Sequence, residues 1–155
     1  WPGGATGWAQ LTAEGGHPGD TTAHACIRRW TAPAAATVTI SGALKHEPAE
    51  GDGIRAFIVS SRQGELKSAA VHHRTEEMKL EGINVIAGET LDFIVNIAGE
   101  LNSDQFLWEP EVSGAGAQWN AKNEFNGPTP APDYLKPWEQ YAQVLLLANE
   151  FAFIE

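Results

Sequence analysis

From residue 7 to residue 112 the chain is written in period two. Apolar and polar side chains alternate in short runs, and Gly, Pro, Asp and Asn separate the runs, as in strands that bury one face. Eight runs are centred on WAQLTA, HACIRRW, ATVTISGAL, GIRAFIVS, ELKSAAVH, EMKLEGINVI, TLDFIVNIA and DQFLWEPEV. Parity assigns their faces. Val38, Ile40 and Leu44 point inward in the third run, with Thr37, Thr39 and Ser41 outward; Leu91, Phe93, Val95 and Ile97 point inward in the seventh, leaving Asp92, Ile94 and Asn96 outside. In the eighth, Phe106, Trp108 and Val112 are core. Eight antiparallel strands predict an all-β fold, an eight-stranded jelly-roll β-sandwich of two four-stranded sheets.

The period stops at residue 112. Residues 113–136 carry Gly, Asn and three Pro without any repeat and read as an irregular covering loop or linker. From Pro137 the spacing changes to three and four: Trp138, Tyr141, Ala142, Leu145 and Ala148 line one side of a predicted C-terminal helix that ends near Asn149. Val144, Leu146 and Leu147 make its far side apolar too, so this helix expects cover on several sides. Docking on the sandwich, self-association through the helix, or a neighbouring domain would each supply it. The organisation expected is a β-sandwich over 1–112, a linker over 113–136, and a helix and tail over 137–155.

Composition narrows the function. A chain of 155 residues buries a full core, and the single Cys26 cannot form a disulfide within it. The formal net charge of −10 opposes generic binding to nucleic acid or to an anionic membrane surface, and no stretch approaches the ~20 apolar residues of a membrane helix. The opening WPGGATGWAQ lacks the basic start and apolar centre of a signal peptide and reads as a mature or excised piece.

Jelly-roll connectivity places the second, seventh, fourth and fifth strands side by side. On the parity above, their outward residues are Arg28 and Trp30, Asp92 and Asn96, Arg55 and Phe57, and His72. Aromatic faces that pack on a pyranose, beside planar polar groups that pair with hydroxyls, make a carbohydrate-binding surface. A solvated sheet face with cross-strand ion pairs is the competing reading. Trp8, Trp119 and Tyr134, in irregular surroundings, form a second platform at a loop end.

His17, His24, Cys26, His72, His73 and Met78 supply the ligand types of a blue-copper site. Such sites place the Cys late with a His close behind it, whereas CIRRWTAP follows Cys26. Asp20, Glu50, Asp52, Asp104 and Glu109 lie in turns and offer oxygen donors for a structural calcium, without an EF-hand spacing. No nucleophile elbow, zinc-binding helix or phosphate loop is present, so the chain reads as non-catalytic.

Two stretches carry a resemblance. HACIRRWTAPAAATVTISGAL followed by GDGIRAFIVSSRQGEL resembles jelly-roll modules of carbohydrate-binding type inside large secreted planctomycete proteins. PWEQYAQVLLLANEFAFIE resembles the close of the C-terminal domain that accompanies cytochrome-C-type domains in those proteins. The resemblance implies a fragment of an exported, cytochrome-associated multidomain protein, periplasmic or extracellular, that handles polysaccharide or oligosaccharide. Its partners would then include other domains of the parent chain. Any haem belongs elsewhere in that parent, because a chain with one Cys has no C-x-x-C-H site. The alternative is a structural module that packs between domains without a ligand.

Overall fold

The computed structural model describes residues 6–125, and its architecture is all-β and antiparallel. In chain order the strands are β1 (Gln10–Leu11), β2 (Gly15–His17), β3 (Cys26–Thr31), β4 (Ala36–Ser41), β5 (Ala43–His46), β6 (Ile54–Ser60) and β7 (Gly64–Val71). Then follow β8 (Arg74–Glu77), β9 (Leu80–Val85), β10 (Thr90–Ile97), β11 (Phe106–Leu107), β12 (Glu111–Gly114) and β13 (Ala117–Asn120). A short 3-10 turn, Thr22–His24, precedes β3. All eight predicted runs contain strand, but several split, and β2 and β13 were not anticipated.

One sheet runs β3-β10-β6-β7, the neighbours expected of the second, seventh, fourth and fifth runs. Facing it are two ladders with orders β1-β2-β11-β5-β8 and β13-β12-β4-β9. They share a plan: β4 and β5 are parted only by Gly42, β8 and β9 by Met78 and Lys79, and β11 and β12 by the segment from Trp108 to Pro110. Three long strands are therefore interrupted at one level. Gly42 sits there at φ 142°, where a Cβ would stand 3.1 Å from the Pro110 Cα and 3.2 Å from the Glu109 carbonyl oxygen, and its own carbonyl accepts the Met78 N–H at 2.9 Å. Only glycine admits both that backbone angle and that approach.

The core lies between the layers. Val38, Ile40, Leu44, Leu91, Phe93, Val95, Phe106, Trp108 and Val112 are buried, as their parity predicts; Ile97 is only half-buried. Phe93 meets Trp108 edge-on at 5.7 Å and lies 5.2 Å from Phe125. At one end the carboxylate of Glu89 ties the β6–β7 turn to the approach to β10. It accepts from Ser60 Oγ at 2.6 Å, Arg62 Nε at 3.0 Å, Gln63 Nε2 at 3.1 Å and the Ile86 N–H at 3.0 Å. Burial alone would raise the pKa of Glu89, but these donors outweigh it and hold it at about 2.

The expected irregular segment 113–136 begins instead with the end of β12 and a hairpin into β13, turning over Ala115 and Gly116 at φ 50° and 77°. The sandwich thus continues past residue 112 at least to Phe125, which packs against it. The predicted C-terminal helix, and with it Tyr134, lies outside the described residues.

Candidate functional site

The outward face of the β3-β10-β6-β7 sheet is built by register. Asp92 pairs with Arg29 and Val59 in one row; Ile94 with Ile27 and Phe57 in the next, extended by Ser68; Asn96 with Arg55 in the third, extended by Ala70. Partners across an antiparallel ladder share a face, so these rows present one side of the sheet together.

The same register corrects two expectations. Arg28 stands opposite Phe93 and Trp30 opposite Leu91, both core residues, so Arg28 and Trp30 must point inward; they are 5% and 3% exposed. Ile27, Arg29 and Thr31 take the outward places in β3. Arg28 tolerates the interior because its guanidinium donates to the carbonyls of Trp108 at 2.8 Å, Thr12 at 2.5 Å and Gly15 at 3.1 Å. Burial draws its pKa down, against the pull of Cys26 and Glu109. Trp30 packs on Trp119 at 5.2 Å, and neither is a free platform.

Asp92 is in place on the face, but Arg29 occupies it. Nε and Nη2 of Arg29 donate to its two oxygens at 2.6 Å each, a bidentate pair that raises the Arg29 pKa, chiefly through these bonds. Asn96 is half-buried, with its carboxamide oxygen enclosed and without a partner. Arg55 is exposed, next to half-buried Phe57. These two line a groove of about 280 Å³ with Ser68, Ala69 and Ala70. His72 is exposed one row beyond, but its ring turns toward the Ala49 carbonyl at 3.2 Å and the buried His46 ring at 5.6 Å. The structure therefore gathers Arg55 and Phe57, with Asp92 and Asn96 beside them, and sets His72 at the margin. Ile27, Ile94, Val59 and Ser68 complete the face; the outward parity of Ile94 was visible in sequence, that of Ile27 was not.

At the loop end Trp8 is 45% exposed and lies 6.1 Å from the ring of His17. Both line a pocket of about 410 Å³ with Leu101, Asn102, Ser103 and Gln105.

No family model, curated protein or solved structure matches this chain.

The metal candidates separate into unlike surroundings. Met78 is buried in the core, His24 pairs with Asp20 at 2.8 Å, and the Cys26 thiol donates to the carbonyls of Gln10 and His17, its pKa raised by burial. Among the described residues no three His, Cys, Asp or Glu side chains form a metal-ligand group. Of the acidic turn residues, Glu50 and Glu109 are exposed and apart, whereas Asp104 is 0% exposed with neither carboxylate oxygen hydrogen-bonded. Burial first, then the charges of Asp52 and Glu100, push its pKa to about 7.

Proposed function

We propose that this chain is a non-catalytic carbohydrate-binding module with a jelly-roll sandwich, and that the outward face of the β3-β10-β6-β7 sheet takes the sugar. The observation that carries the reading is the pairing of Arg55 and Phe57. A guanidinium without an ion pair among the described residues stands in solvent beside an aromatic ring, over a shallow groove floored by Ser68 and Ala70. A pyranose laid on Phe57 would expose its hydroxyls to the guanidinium fork, and a uronate carboxylate could take that fork bidentately. The groove is open and shallow, which suits an affinity on the order of micromolar to millimolar.

The resemblance to planctomycete modules supports the same reading and adds export, a polysaccharide partner, and neighbouring domains in a cytochrome-associated parent chain. The strand orders support the jelly-roll reading when each interrupted pair is counted as one strand.

An affinity gel or glycan array tests the proposal. Arg55→Ala and Phe57→Ala are expected to lose glycan retention while Arg55→Ala leaves the melting temperature nearly unchanged, because an exposed unpaired side chain contributes within about 0.5 kcal/mol. Retention lost with Trp8→Ala instead would move the site to the loop end.

A second reading is favoured by one observation. Ile27, Ile94, Phe57 and Val59 are adjacent and half-buried on that same face, an apolar stripe that another domain of the parent chain could cover. No retention on any glycan would make this packing role the preferred one.

A further inference from the structure

Asp104 is the least satisfied charged group among the described residues. It is fully buried, and both of its carboxylate oxygens lack a hydrogen-bond donor. Ionised carboxylates inside proteins are paired, hydrogen-bonded or bound to a metal, since an uncompensated one is strongly unfavourable. Here the charges that act on it are two more carboxylates, Asp52 and Glu100, which worsen its position.

The chain brings these groups together through two loops, the one that enters β6 and the one that leaves β10. The Glu100 N–H lies 3.4 Å from Asp52 Oδ1, the Ala98 N–H donates to the Gly53 carbonyl at 3.2 Å, and a Cβ on Gly51 would overlap the Asn102 carbonyl oxygen. The two loops thus pack closely on each other, and Asp104 lies buried at the end of the second without a donor. Arg and Lys are absent from both segments, 47–53 and 98–105.

The geometry points to a structural divalent-cation site, of the calcium type, in which buried Asp104 and exposed Asp52 are the side-chain ligands. Main-chain carbonyls of the two loops and water complete the shell. Two carboxylates suffice because Ca²⁺ takes six to eight oxygens of mixed origin, whereas zinc or copper favours several His or Cys, and among the described residues no three His, Cys, Asp or Glu side chains form such a group. Bound there, the ion would neutralise Asp104 and brace the loops that hold the ends of β6 and β10, the two central strands of the proposed sugar-binding sheet. The site does not depend on the sugar reading.

The test uses the full chain stripped with a chelator, then titrated with CaCl₂ or MgCl₂ while melting temperature and binding heat are followed. Saturating Ca²⁺ is expected to raise the melting temperature by about 5 °C or more, with Mg²⁺ weaker. Asp104→Asn should abolish the response and melt no lower than the metal-free wild type, because the amide removes an uncompensated charge. Asp52→Ala, at an exposed position that should not impair folding, should weaken Ca²⁺ binding by at least about tenfold. Neither heat nor stabilisation at about 10 mM Ca²⁺ would overturn the proposal, as would variants that respond like the wild type. In that event Asp104 is a protonated, neutral acid.

Discussion

A guanidinium in a protein interior needs acceptors in the plane of its donors, and Arg28 finds three main-chain carbonyls in two separate parts of the chain. It joins β3 to the 12–15 turn and to the interruption between β11 and β12. Removing it leaves enclosed carbonyls unpaired and opens a void, so Arg28→Ala is expected to lower stability by about 3–5 kcal/mol, read from the denaturant midpoint. A loss below about 1 kcal/mol would mean that water replaces the guanidinium. Sequence alone hid this role. In CIRRW either parity buries one apolar set, Cys26 and Trp30 or Ile27, and a strand containing two arginines gives no reason to place one inside. Register against Leu91 and Phe93 decides the matter, and register is long-range information. Phe57 and Arg55, by contrast, alternate with Ile54, Ala56 and Ile58, whose burial leaves no ambiguity, so their outward placement was legible.

Elements were legible where the alternation was long and obscured where geometry interrupts it. ATVTISGAL keeps its parity across Gly42, and so reads as one strand although its ladders change there. The β12–β13 hairpin escaped for a different reason. Its two-residue turn has both φ angles positive, a type I′ pattern that is usually written Asn-Gly, and here Ala115 occupies the first position. Alanine in the left-handed region is strained by about 1 kcal/mol. Ala115→Asn should therefore stabilise the protein by about 0.5–1 kcal/mol, seen as a higher denaturant midpoint at unchanged m-value. A lower midpoint would show that the turn relaxes some other way. The candidate cation site was visible in sequence only as scattered acidic turn residues; what singles out Asp104 is its lack of partners, which no linear pattern records.

At the scale of the molecule, the order of one sheet, β3-β10-β6-β7, is the one expected from the jelly-roll assumption, whereas the division of the other layer into two ladders was not legible in the count and spacing of the runs. Stability in acid is a property of the whole that Glu89 controls at one end. Its pKa in the folded state lies below its ordinary value, so the stability it contributes is fully present above about pH 4.5 and is lost as pH falls toward about 2. Urea midpoints across that window should fall for the wild type, whereas Glu89→Gln should begin lower at neutral pH and change less. Parallel slopes for the two proteins would remove Glu89 from the account.

The interruption that crosses the split layer also bears on how copies of the chain meet. Strands β8 and β9 border their ladders, and an unbroken border ten or more residues long would be a template for edge-to-edge association. Instead the border is parted at Met78 and Lys79 into runs of four and six residues. At the gap, the ammonium of Lys67 reaches across from β7 and takes the Glu77 carbonyl at 2.8 Å and the Lys79 carbonyl at 3.4 Å. An incoming strand would meet a short ladder, then a cation already seated on the carbonyls it needs, which protects this margin of the fold against aggregation.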